Sequence, residues 1–169
     1  HKNGFRRLLD KMNFRKLEEE DLKELQDLKY ESAEFMNGFF CSNLLDQSKW
    51  FESMSSDNIM LKWCDGEKIL GFYFIKSIDN ISRHHDFTYY LKKEHRGRSL
   101  GKKFLKECID YSFNNLNVNK IYGTALSNNK KSIHVMNSVG FKNVGLMKNH
   151  VFKNGSYLDN IILEIHRDE

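Results

Sequence analysis

An extended apolar run, a small-residue turn and an amphipathic helix follow one another in this chain and constrain its fold most strongly. The run is Phe87–Leu91, the turn is His95–Lys103, and the helix is predicted over Leu100–Phe113. The first backbone N–H groups of a helix lack internal acceptors, and the helix dipole adds partial positive charge at the same end. Strand, turn and helix in this order therefore predict an anion-binding site, typically for phosphate.

The composition of the turn supports this prediction. Gly97, Ser99 and Gly101 keep the turn free of bulk, so that backbone can approach ligand oxygens. Four basic side chains add positive charge around them, namely Arg96, Arg98, Lys102 and Lys103. The spacing fits neither the G-x-x-x-x-G-K-S/T loop of nucleotide triphosphatases nor the G-x-G-x-x-G fingerprint of dinucleotide-binding folds.

The spacing that fits is Arg-x-x-Ser-x-Gly, from Arg96 to Gly101. It resembles the Gln/Arg-x-x-Gly-x-Gly/Ala loop with which the GNAT superfamily of N-acetyltransferases binds the pyrophosphate of acetyl-coenzyme A (acetyl-CoA). Ser99 stands where that loop usually has glycine. Serine still tolerates a tight turn, and it offers a hydroxyl to phosphate.

Two later segments resemble the same superfamily. In Asn129–Phe141, a capping asparagine precedes apolar residues at helical spacing, and Gly140 is a predicted helix stop. Val151–Leu163 reads as a hairpin around Asn154-Gly155, a favoured type I′ turn pair. The three ordered motifs resemble most closely the branch that acetylates ribosomal proteins and spermidine or diamines.

The order of predicted elements, β-α-α-β-β-β-α-β-α-β-β, indicates a mixed α/β sheet with helices on its faces. The resemblance implies a mostly antiparallel sheet whose central strands, here Phe87–Leu91 and Ile121–Leu126, splay apart around the pantetheine arm. Residues 12–169 are expected to form a single N-acetyltransferase domain, and residues 1–11 an extension or vector-derived segment.

Other elements are predicted from local patterns. Ser48 is a candidate cap for a short helix that carries Trp50 and Phe51. The segment 32–46 is less regular, and its apolar residues can form core, which we favour, or line an acceptor pocket. Those residues are Phe35, Met36, Phe39, Phe40, Leu44 and Leu45. The remaining predicted elements before the turn are strands Asn13–Leu17, Ile59–Cys64, Ile69–Ile78 and Arg83–Leu91 and helix Asp21–Tyr30.

Composition excludes several classes of function. The formal net charge is only +4, and basic residues alternate with acidic ones, so a nucleic-acid-binding stripe is not evident. No apolar run approaches the ~20 residues of a membrane span. The three cysteines, Cys41, Cys64 and Cys108, lack the spacing of a disulfide framework or a zinc site. We therefore expect no metal, a cytoplasmic location and a possible homodimer.

The resemblance implies that acetyl-CoA is the cofactor and that backbone near Tyr90 and Leu91 binds its pantetheine arm. Asn129 matches an asparagine that contacts the cofactor or orders the site. The expected cofactor-binding residues are Tyr90, Leu91, Arg96, Gly97, Arg98, Ser99, Leu100, Gly101, Lys102 and Asn129.

Acetyl transfer to an amine also needs a base and, for the departing thiolate, an acid. Asp86 is the favoured base, and His85 is the neighbouring candidate, although strand alternation points the two to opposite faces. Met136 occupies the position at which many family members carry a tyrosine that acts as the general acid. Tyr122 is the first candidate to replace it, and Tyr89 and Tyr90 stay open.

The expected activity is transfer of an acetyl group to a primary amine of a small molecule, an aminosugar or sugar nucleotide, or a protein N-terminus. Asp159 either binds a cationic amine or is an ordinary exposed hairpin residue. The alternative is a non-catalytic acyl-CoA-binding sensor or interaction domain, for which Ser99 and Met136 are the supporting features.

Overall fold

Seven strands, four α-helices and three short 3-10 helices make up the regular structure in the described part of the chain. The computed structural model describes residues 12–36, 43–97 and 99–167, so residues 1–11, Phe39, Phe40, Cys41 and Arg98 lie outside it. The elements are β1 (Met12–Lys16), α1 (Leu22–Glu31), α2 (Leu44–Glu52), β2 (Ile59–Asp65), β3 (Lys68–Asp79), β4 (His84–Leu91), α3 (Leu100–Asn115), β5 (Lys120–Leu126), α4 (Lys130–Ser138), β6 (Lys142–Lys153) and β7 (Ser156–His166). Their order is the predicted one.

The strands form one sheet in the order β1-β2-β3-β4-β5-β7-β6. Every neighbouring pair is antiparallel except β4 and β5, which are parallel. The parallel pairing ends at Asp86 and Tyr122, although β4 continues to Leu91 and β5 to Leu126. The expected mixed, mostly antiparallel sheet with splayed central strands is therefore confirmed.

A glycine allows an aromatic ring to lie at the point where the strands separate. A Cβ atom on Gly123 would come within 2.8 Å of the Phe87 ring, so only glycine leaves room for that ring against β5. The Phe87 ring also packs against Phe141, at 5.3 Å between ring centroids. Phe87 thus occupies space beside the opening that a side chain at position 123 would otherwise fill.

Strand alternation divides the core between the two faces of the sheet. On one face, Phe87 and Leu91 pack with Phe104 of α3 and Met136 of α4. On the other, α1 packs against residues of β2 to β4, including Tyr90. Because β4 contributes to both clusters, its splayed half lies between two packed layers.

Two predicted boundaries are wrong. The helix α2 begins after Asn43, whose side chain accepts from the N–H of Asp46 at 2.9 Å, whereas Ser48 lies inside the helix and donates to the Leu44 carbonyl. The strand β6 begins nine residues before Val151, at Lys142, and its pairing with β7 has two irregularities. The prediction rested on the Asn154-Gly155 turn and did not cover this first part of the strand.

The sequence correctly predicts two positions at which the backbone needs a positive φ. Asn154 and Gly155 have φ values of 49° and 78°, as a type I′ turn requires, and Gly140 has a φ of 110° directly after α4. Within the described ranges, no helix combines the length and the apolar character that a bilayer crossing requires.

Gly71 on β3 tests the packing of the sheet. A Cβ atom there would lie 2.4 Å from the Tyr90 carbonyl oxygen and 3.1 Å from the Phe104 ring. Because backbone cannot move aside cheaply, Gly71→Ala should lower the free energy of unfolding by about 1–3 kcal/mol in urea titrations. Gly101→Ala is the control, since its Cβ would meet only Leu91 at 3.8 Å, and an equal loss in both variants would contradict this account.

Candidate active site

A cavity of about 210 Å³ lies where β4 and β5 separate. Residues 86–90 of β4 and 123–125 of β5 form its walls. The other lining residues are Phe35, Met36, Lys76, Asn129, Ser132 and Met136. The separation of β4 and β5 therefore encloses a space, between the two strands that the family resemblance implied would splay.

The cavity connects the two faces of the sheet. Met36 and Tyr90 belong to the packing on the α1 face, whereas Phe87, Ala125 and Met136 belong to the packing on the α3 and α4 face. Side chains from both faces of the sheet therefore border the same space. This geometry suits a reaction in which a donor and an acceptor must be held together.

Asp86 lies in the cavity wall at the start of the opening, and its carboxylate has two protein partners. Its Oδ1 accepts from the N–H of Phe87 at 2.6 Å, and its Oδ2 lies 2.8 Å from the ammonium of Lys76 on β3. Both side chains are about one-third exposed, so they remain accessible to a polar ligand. Sequence reasoning selected Asp86 and missed Lys76.

His85 and Tyr122 lie outside the lining of this cavity. The His85 side chain is fully buried, and its Nδ1 lies 3.0 Å from the Asp86 carbonyl oxygen, while burial lowers the pKa of its imidazole. Tyr122 packs edge-on against His84, and burial, together with the Asp86 charge, raises the pKa of its phenol. Of the three predicted catalytic residues, the structure brings Asp86 to the cavity.

Tyr89 lines the cavity, and its hydroxyl contacts α4. Its oxygen lies 2.8 Å from the Ser132 hydroxyl, and burial raises the pKa of Tyr89 to about 12. Ser132 is four residues before Met136, so the two share a helix face, and both line the cavity. Tyr90 also lines the cavity, and burial raises its pKa to about 12.

The described residues of the turn before α3 include two with left-handed backbone, followed by free helix-terminal N–H groups. Gly97 and Ser99 both have positive φ, 75° and 61°, and the first helical turn closes when Lys103 N–H donates to the Ser99 carbonyl. The N–H groups of Leu100, Gly101 and Lys102 precede that bond and lack helical acceptors. Ser99 holds the left-handed conformation that glycine adopts at no cost, which explains why glycine is usual there.

Arg96 ties this turn to the rest of the protein. Its Nε donates to the Leu91 carbonyl at 2.8 Å, and its Nη2 lies 3.1 Å from the Ser32 hydroxyl and 3.3 Å from the Glu31 carboxylate. The guanidinium thus fixes the end of β4 against the end of α1. Lys102, by contrast, is exposed beside the free N–H groups.

Asn129 caps α4, as predicted, and also lines the cavity. Its side-chain oxygen accepts from the Ser132 N–H at 3.2 Å, so the group it can offer to a ligand is its NH₂. Asn129 and Ser132 therefore connect the start of α4 to the cavity and, through Ser132, to Tyr89.

Lys153 fixes the wall of the cavity on the α1 face. It lies at the end of β6, and its ammonium donates to the carbonyls of Ala33 and, at 2.6 Å, of Met36. Burial lowers its pKa. These bonds hold the segment that brings Phe35 and Met36 to the cavity. Met36 also packs against the core on the α1 face, so the pocket and core interpretations both apply to it.

Asp159 and the two described cysteines lie outside the cavity lining. Asp159 accepts from the Asn149 N–H at 2.8 Å and does not line the cavity. Cys64 and Cys108 are buried free thiols. No group of three or more potential metal ligands occurs among the described residues.

The chain belongs to the GNAT acetyltransferase family. The family model described as "Acetyltransferase (GNAT) domain" matches residues 14–162, which is most of the chain. The protein is accordingly an N-acetyltransferase with acetyl-CoA as donor and an amine as acceptor, and the alternative of a non-catalytic binder is not favoured.

Individual relatives agree with this assignment. The chain is 30% identical to spermidine N(1)-acetyltransferase of Escherichia coli (strain K12) over 86% of its own length and 81% of that protein. It is 24% identical to the putative ribosomal N-acetyltransferase YdaF of Bacillus subtilis (strain 168), over 60% and 55%. The fold matches the crystal structure of the Vibrio cholerae spermidine N-acetyltransferase in complex with CoA and spermine, with a TM-score of 0.88 and 22% identity over 94% and 97% of the chains.

The residues present suit acetyl-CoA. Three helix-terminal N–H groups and the exposed Lys102 suit a diphosphate, and the splayed strands leave unpaired backbone for an extended arm. Gly101 adjoins these N–H groups, and a Cβ there would touch only Leu91.

Gly101→Leu should therefore cover the phosphate-facing backbone without unfolding the protein. We expect at least a tenfold loss of affinity for acetyl-CoA in calorimetric titrations, with little change in thermal unfolding because leucine is a strong helix former. An affinity equal to that of the unmodified protein would contradict the assignment of this turn.

Proposed function

We propose that this protein acetylates a primary amine of a small aliphatic polyamine. The observation that carries the proposal is the carboxylate of Asp86 in a cavity whose wall toward α1 is apolar and aromatic. A carboxylate can bind an ammonium group, and residues such as Phe35, Met36 and Tyr90 can pack against methylene groups. The relative named spermidine N(1)-acetyltransferase, at 30% identity, supports the same class of acceptor.

Acetyl-CoA supplies an acetyl thioester, whose carbonyl carbon a free amine can attack. The acceptor arrives as an ammonium ion, which has no lone pair until it loses a proton. Asp86 is the carboxylate placed to bind that ion and to take its proton, directly or through water. Its bond from the Phe87 N–H fixes the orientation of the carboxylate toward the opening.

Tyr89 is the group we assign to protonate the departing thiolate. Tyr89 and its hydrogen-bond partner Ser132 both line the cavity, whereas Tyr122, the first candidate from the sequence, does not. Ser132 orients the Tyr89 hydroxyl at 2.8 Å and can relay a replacement proton to it. Because the Met136 thioether has no proton to donate, we assign proton donation to Tyr89 on β4.

The direct test of function follows thiol release from acetyl-CoA with a panel of amines. We expect release with spermidine, spermine and putrescine, and N-acetylated product by mass spectrometry. Aminosugars and peptide N-termini are the comparison acceptors. Thiol release with these acceptors alone would overturn the polyamine assignment, and acetyl-CoA binding without release on any amine would favour the sensor.

Asp86→Asn should separate proton removal from binding. We expect the rate to fall by about 10²–10⁴-fold near pH 7, the usual contribution of a general base. The loss should be smaller near pH 10, where more of the acceptor is already deprotonated. The pH profile of kcat/KM measures this difference, with Asp159→Asn as the control outside the cavity, and equal losses at both pH values would exclude Asp86 as the base.

Tyr89→Phe removes the proposed acid and preserves the ring. Because burial raises the pKa of Tyr89 to about 12, the hydroxyl stays protonated as pH rises from 7 to 10. The unmodified enzyme should therefore show no decline of kcat from tyrosine ionisation in that range. Tyr89→Phe should lower kcat at least tenfold with little change in KM, whereas Tyr122→Phe should not, and the reverse pattern would restore Tyr122 as the acid.

A cytoplasmic location, a possible homodimer and the absence of nucleic-acid binding are also part of the proposal. The buried free thiols of Cys64 and Cys108 are compatible with a reducing compartment. The interleaved charges of the chain support the absence of nucleic-acid binding. Light scattering of the purified protein measures its assembly state.

A further inference from the structure

The carboxylate that faces the acceptor is already bound to an alkylammonium ion. Lys76 and Asp86 are direct neighbours across β3 and β4, and the Lys76 Nζ lies 2.8 Å from Oδ2 of Asp86. Its other oxygen accepts from the Phe87 N–H. The oxygen that an acceptor would use is therefore the one that Lys76 holds.

The occupant has the same chemistry as the proposed acceptor. A lysine side chain ends in a four-carbon chain and a primary ammonium, which is also the aminobutyl end of an aliphatic polyamine. We propose that Lys76 is an internal competitor for the acceptor's ammonium and thereby sets the affinity for cationic amines. This inference rests on the proposed function and concerns the specificity of the same site.

The charge balance of the cavity supports competition. Among the described residues that line it, only Lys76 and Asp86 carry a formal charge at neutral pH, and their charges cancel. An incoming cation therefore meets a net negative wall only after Lys76 has moved away. When the acceptor displaces it, the lysine ammonium must find solvent or another partner.

Such an exchange is inexpensive because the pair is only partly buried. The exposed fractions of the two side chains are 39% and 30%, so the Lys76 ammonium can return to water. Ion pairs with this degree of exposure contribute little net free energy. The competition should thus adjust acceptor affinity by a modest factor without preventing turnover.

Lys76→Met tests the proposal because methionine keeps an unbranched side chain and removes the charge. We expect the KM for spermidine to fall about two- to fivefold, the range that the loss of one partly exposed ion pair permits. The affinity for acetyl-CoA should not change. Lys76→Arg keeps the charge and should keep the high KM.

Lys68→Met is the matched control. Lys68 lies on the same strand and pairs with Glu94 at 3.4 Å, outside the cavity lining. The KM of the Lys68→Met variant for spermidine should equal that of the unmodified protein. Lys76→Gln provides a second neutral variant in case the methionine variant does not fold, as checked by circular dichroism.

An unchanged or higher KM in both neutral Lys76 variants, with normal acetyl-CoA binding, would overturn the competitor role and leave the proposed function intact. Absence of thiol release with every amine, already in the unmodified protein, would overturn the proposed function instead. In that case, calorimetric binding of spermidine to the unmodified protein and the Lys76 variants still decides the competition.

Discussion

The site depends on the early end of the parallel pairing between β4 and β5. After Asp86 and Tyr122 the two strands no longer share a ladder, so their backbone groups become available to ligands. The same break joins the two faces of the sheet in one cavity. Because β4 also leads into the turn before α3, one strand connects the acceptor side, the opening and the proposed phosphate site.

The proposed proton transfers rest on the few ionisable groups that border this opening. A carboxylate paired with an ammonium lies at its start, and a buried phenol bound to a serine lies deeper, toward α4. Burial keeps Tyr89 protonated, while partial exposure keeps Asp86 accessible. The two groups therefore suit opposite directions of proton transfer within a single cavity.

Features specified by neighbouring residues could be predicted from the sequence. The turn before α3, the Asn129 cap and the Asn154-Gly155 hairpin each depend on backbone preferences within a few residues, and the structure contains all three. The base candidate Asp86 was selected because it stands at the start of the strand where many members of the family carry a glutamate. The family resemblance then supplied the splay, which no local pattern encodes.

Features that depend on register and tertiary packing could not be predicted. Lys76 meets Asp86 only because β3 and β4 pair in one register, and the contact between Tyr89 and Ser132 joins residues 43 positions apart. The sequence offered Tyr122, Tyr89 and Tyr90 as acids, without information on which tyrosine would contact α4. The irregular pairing of β6 likewise concealed the first half of that strand.

Lys153 has a consequence for how the active site is completed during synthesis. The acceptor wall around Phe35 and Met36 is secured by a residue 120 positions after Ala33, in the last hairpin of the described chain. A nascent chain therefore carries the turn before α3 and the start of α4 before it can fix that wall. Substitutions near the end of the sequence can in this way reshape the cavity wall that Phe35 and Met36 form.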